Sequence, residues 1–155
     1  MEHIKTQLQI EAQRHQITFS ALHEKRALVI AELYDKVNDL YAMAYRFGGA
    51  TLLGAKRTKI ERADSTYESC QSFYLFFQKH KIYFSKELCS LIIEFVSLIS
   101  EPTSDLYQIQ DAPELVRKFE KDFYDNYQEL GKKLTGLKSN IEKEFRTILG
   151  VEPHQ

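Results

Sequence analysis

The apolar positions of the stretch Leu22 to Phe47 fall at Ile30, Leu33, Val37, Leu40, Ala44 and Phe47, in steps of three and four. That spacing lines all six along one face of an α-helix, and neither Gly nor Pro interrupts it. Residues 2–20 are equally compatible with helix but carry few large apolar side chains, among them Ile4, Leu8, Ile17 and Phe19. One helix over residues 2–47 would measure about 70 Å, against a radius of gyration of about 15 Å for a compact domain of this length. The pattern therefore predicts a projecting arm, residues 1–20, ahead of a bundle formed by residues 21–150, with 151–155 as a tail.

Three further segments repeat the helical pattern. Gly48-Gly49 is expected to end the first helix, with a linker over residues 48–55. Between Lys56 and His80 the seam reads Ile60, Ala63, Tyr67, Cys70, Tyr74 and Phe77, with Ser65 and Glu68 at capping-box spacing as an alternative start. Ser85 suits the N-cap of a third helix with the seam Leu88, Ile92, Phe95 and Ile99, expected to stop near Ser100 because Pro102 follows. Asp111 with Glu114 marks the start of a last helix, which carries apolar positions from Phe119 to Ile148 and holds Gly131 and Gly136 as candidate bends or close crossings. Nothing alternates with period two. The prediction is an all-α, antiparallel up-down bundle of about four helices whose long N-terminal helix projects as an arm.

Composition fits that picture: 155 residues, 43% hydrophobic and 28% charged, with 6 Gly and 3 Pro, describe one globular domain of few, long elements. Twenty-one Lys and Arg stand against 22 Asp and Glu, so the overall basic excess that phosphate binding favours is missing. Cys70 and Cys89 suit a reducing compartment. The most apolar run, Leu91 to Ile99, is too short to span a bilayer and contains Glu94. With no signal-like segment at the N-terminus, the expectation is a cytoplasmic protein that meets a membrane only indirectly.

Catalytic and cofactor patterns are largely missing. The histidines are His3, His15, His23, His80 and His154, and none lies three residues after a Glu, as a di-iron bundle requires. His23-Glu24 opens like a zinc-protease motif, but Ala27 occupies the second histidine position. There is no C-x-x-C, no phosphate-binding glycine loop and no nucleophile elbow. The Arg-to-His spacing of four to six residues that marks HEPN-type ribonucleases does not occur either. No catalytic residue, metal set or cofactor is predicted, and the chain reads as an interaction protein rather than an enzyme.

Three local features remain. The window Phe73 to Phe77, FYLFF, wraps the whole circumference of a helix, which fits a helix packed on two sides or, alternatively, an exposed patch, so that Phe73 and Phe76, together with Leu8 and Ile17 on the arm, are candidates for a partner surface. Arg26 stands one turn before Ile30, where the seam turns polar, making His23 and Arg26 a candidate junction. The run KRTKIER, with Lys56, Arg57, Lys59 and Arg62, offers candidate phosphate contacts and an alternative reading as a nucleic-acid-binding or processing accessory. No aromatic is interleaved there to stack on bases.

In FSALHEKRALVIAELYDKVNDLY (Phe19 to Tyr41), HKIYFSKELCSLIIEF (His80 to Phe95) and EKEFRTILGV (Glu142 to Val151) the chain resembles a widespread group of uncharacterised bacterial helical proteins. Members often place a membrane helix and a polar helical arm ahead of the Leu-His-Glu-Lys-Arg segment. The present sequence starts inside the arm. The resemblance implies an arm-bearing helical protein and carries no activity or catalytic residues. The functional expectation is a non-enzymatic interaction or scaffold protein, acting by self-association or by docking a protein partner. The core assignment has a direct check: Leu33→Ala and Leu134→Ala should each lower the free energy of unfolding by about 2–5 kcal/mol in chemical melts.

Overall fold

The structure, a computed structural model, describes residues 2–52 and 59–151. Among them are four α-helices and no strand: α1 (Glu2–Leu52), α2 (Lys59–His80), α3 (Lys86–Ile109) and α4 (Pro113–Leu149), with a 3-10 turn at Lys81–Tyr83 between α2 and α3. Each helix packs on its neighbour in sequence and α4 closes against α1, leaving α1 and α3 diagonal. This is an antiparallel, all-α up-down bundle.

The seam of α1 enters the core as its spacing requires: Ile30, Leu33, Val37 and Leu40 are buried with Cys70, Phe73 and Phe77 of α2, Leu88, Ile92, Phe95 and Ile99 of α3, and Leu134, Leu137, Ile141 and Phe145 of α4. A smaller cluster of Phe47, Ala63 and Leu106 closes one pole, with Phe119 and Phe123 of α4 packed on it. At the opposite pole α2 and α4 end and α1 runs on alone. Every residue from 3 to 25 is exposed, so burial along α1 begins at Arg26, five residues later than the expected boundary at 21.

Two predicted stops and one predicted cap are overturned. Helix α1 does not end at Gly48 but continues to Leu52. Gly48 is buried, and a Cβ added there would fall inside the Tyr127 ring of α4. The glycine thus serves a helix crossing, whereas Gly131 and Gly136 have open space where a Cβ would stand. Helix α3 runs through Pro102 to Ile109. An interior Pro costs about 3 kcal/mol, and burying Leu106 beyond it returns a similar amount. Thr103, fully buried, satisfies its own hydroxyl by donating it to the Ile99 and Ser100 carbonyls at 3.2 and 2.9 Å. Helix α4 begins at Pro113 with Ala112 as its N-cap, and Asp111 does not cap it.

Other ends follow their local chemistry. Ser85 caps α3, its Oγ accepting from the Leu88 amide at 3.1 Å. Helix α2 begins at Lys59, which excludes the alternative start at Ser65. Gly150 adopts φ 71°, a left-handed conformation favoured by Gly, and the Gly150 and Val151 amides close onto the Thr147 and Arg146 carbonyls. The expected linker falls partly outside the described residues, as does the tail beyond Val151.

Gly48→Ala is expected to destabilise the bundle by about 1–3 kcal/mol by displacing the Tyr127 ring. In a Tyr127→Ala background the same substitution should become neutral or stabilising by up to about 1 kcal/mol, as the helix preference for Ala takes over. A double-mutant cycle of denaturant midpoints measures both values.

Candidate interaction surface

The arm is the largest feature that the bundle leaves uncovered. Ile4, Leu8, Ile17 and Phe19 are each more than 60% exposed, with Ile10 and Leu22 less so. At about 100° per residue these side chains form two stripes. Ile4, Leu8, Phe19 and Leu22 continue the face that becomes the bundle core at Val29 and Ile30. Ile10 and Ile17 lie on the opposite side and lead to Leu28, 70% exposed on the outward face of the bundle. Leu8 and Ile17, paired in sequence reasoning, therefore belong to different faces.

At the junction, His23 is exposed and stacks on Phe19, one turn earlier, with ring centroids 6.3 Å apart and planes at 14°. Arg26 is half-buried, and its Nε is enclosed without a hydrogen-bond partner. It occupies the seam position where neighbouring helices run out, so its aliphatic stem covers the end of the core. Beside it a groove of about 280 Å³ opens between α1 and α4, lined by Ala27, Tyr34, Phe145 and Val151. Its polar edge is a small network. Glu142 accepts from Lys138 Nζ at 2.6 Å and from the Tyr34 hydroxyl at 3.2 Å. The Lys138 hydrogen bond leads the effects that hold the Glu142 carboxyl below its usual range. Farther along the same helix pair, Tyr41, Tyr45 and Tyr127 line a second groove. Burial, together with the two neighbouring tyrosines, raises the Tyr127 hydroxyl.

The FYLFF window divides differently from its prediction. Phe73 is 2% exposed and belongs to the core, and Phe76 is half-buried under Lys36, whose Nζ lies 5.0 Å from the ring centroid. Phe73 therefore offers no free surface, and Phe76 only a partly covered one. The exposed members are Tyr74 and Leu75, which with Ile93 edge a groove of about 480 Å³ between α2 and α3. Thr66, 2% exposed, concealed this arrangement. Placing it in the seam gives Ala63, Thr66, Cys70, Phe73 and Phe77, and turns Leu75 outward.

Of the basic segment, Lys56 and Arg57 lie outside the described residues and Lys59 opens α2. Arg62 directs Nη1 to the Arg46 carbonyl at 3.2 Å, using one guanidinium donor within the fold. Among the described residues no three His, Cys, Asp or Glu side chains gather as a metal site, and no helix is long and apolar enough to cross a membrane. No family model, curated protein or solved structure matches the chain.

Both cysteines are free. Burial pushes the Cys70 thiol from 9.0 up to about 12. Burial also raises Cys89, with Lys81 opposing. Above pH 9 an unfolded chain releases the Cys70 proton while the folded chain keeps it, so stability falls as pH rises from 9 towards 12. The stability advantage of wild type over Cys70→Ala should therefore shrink above pH 9, by at most about 1.4 kcal/mol per pH unit. Urea midpoints of both proteins from about pH 8 to pH 10.5 measure the difference.

Proposed function

We propose that this chain is a non-enzymatic helical interaction protein, in which the bundle is a scaffold and the arm is the part another polypeptide covers. The supporting observation is the uninterrupted exposure of residues 3–25 on a helix bearing apolar residues on two faces. Exposed apolar stripes on an extended helix gain free energy when another helix removes them from water, at about 25 cal/mol per Å² buried. In this reading the protein is cytoplasmic, and it belongs with the arm-bearing bacterial helical proteins that its sequence resembles. The junction at His23 and Arg26 is where the surface passes from scaffold to contact.

Removal of residues 1–20 tests the reading. Wild type should assemble in a concentration-dependent way or hold a protein partner, and the truncated chain should do neither while its bundle melts as before. Light scattering gives the mass, and co-purification reports the partner. Unchanged mass and unchanged partner capture after truncation would remove the basis for the proposal.

A further inference from the structure

We infer that the occupant of the outward face of the arm is a second copy of this chain, its arm laid antiparallel along the first about a two-fold axis near Phe19. The inference rests on the interaction reading above and names the partner. It uses the stripe Ile10, Arg14, Ile17, Ala21, Glu24 and Leu28, whose spacing of four, three, four, three and four is that of a coiled-coil seam. All six residues are exposed, and Leu28 carries the stripe onto the outer surface of the bundle, clear of the α2 and α4 contacts.

Charge complementarity selects the partner, its direction and its register. Turned about Phe19, the stripe matches itself: Ile10 meets Leu28 of the second copy, Ile17 meets Ala21, and Arg14 meets Glu24. Each layer occurs twice. On the flank of the seam, Glu11 then comes within about two residues, some 3 Å along the axis, of Lys25 of the second copy. The dimer contains four oppositely charged pairs and no facing like charges at these positions. A parallel pairing of the same stripe would instead set Arg14 on Arg14 and Glu24 on Glu24, a like-charge arrangement that costs several kcal/mol when desolvated. Among the described residues, Glu11, Arg14, Glu24 and Lys25 enter no ion pair or side-chain hydrogen bond within the chain, so all four are available. The opposite stripe lacks this self-match: aligning Leu8 with Leu22 places Glu11 on Phe19 and Ile4 on Arg26.

The test is a charge swap in the full chain. Sedimentation equilibrium should show wild type as a dimer. R14E and E24R alone should each weaken dimerisation about tenfold or more, and R14E/E24R should return it to within about threefold of wild type. Both positions are exposed and distant from the core, so every variant should keep the helical circular-dichroism spectrum and a cooperative melt. A wild type that stays monomeric, a dimer indifferent to the single reversals, or a double variant no better than the singles would each overturn the inference. A monomeric wild type that loses a different protein partner on removal of residues 1–20 would overturn self-pairing and leave the interaction reading standing. A dimer that survives that truncation, with no partner lost, would overturn both.

Discussion

A helix can bury an apolar face only over the length that its neighbours run. Helix α1 has 51 residues, about 77 Å, whereas α2 has 22, about 33 Å. This mismatch organises the molecule. Where four helices overlap, the α1 seam from Ile30 to Leu40 is sealed by side chains from all three others. Where α2 and α4 stop, the same face continues into water. Arg26 stands at that limit, half-covered, with its stem on the core and its Nε enclosed. Scaffold and exposed surface are therefore parts of one continuous helix, separated by where its neighbours end.

The opposite pole meets the packing problem differently. There α1 continues to Leu52, and α4 crosses it with Phe119, Phe123 and Tyr127. Side chains of that size hold helices apart unless one backbone yields, and Gly48 yields by having no Cβ for the Tyr127 ring to meet. Phe47 beside it meets Phe123 edge-on, with centroids 5.5 Å apart. Pro102 and Thr103 lie at the same end of α3, where burial of Leu106 offsets the local disruption by Pro. Tertiary packing at this pole overrides two residues that, read locally, would end helices.

That override marks the boundary between what the chain discloses and what it conceals. The period-3.6 seams of α1, α3 and the second half of α4 were legible because large aliphatic residues occupy them without interruption, and the Ser85 cap was legible from its hydroxyl and position. The continuation of α1 past Gly48 was not, because the cause is a ring 79 positions away in sequence at Tyr127. The α2 seam was misread by one position at Tyr67 and Tyr74, because Thr66 is polar by type and buried in place. The same misreading made Phe73 and Phe76, and not Tyr74 and Leu75, the candidates for an exposed patch. On the arm, Leu8 and Ile17 were visible as apolar residues, but a single list of them hid the two faces. Sorting them required a continuous helix across the junction.

The continuity of α1 across Arg26 also bears on how the arm stays ordered. An isolated helix must first fix a turn of backbone for a single hydrogen bond, an unfavourable step with an equilibrium factor of about 10⁻³. Here the core has already fixed that turn at Val29 to Leu33. Each arm residue then adds to an existing helix, so the arm grows outward from the bundle by propagation alone. A polypeptide docking along it meets backbone that is already wound at its base. The ordering cost that usually weakens the association of detached helical peptides is correspondingly reduced.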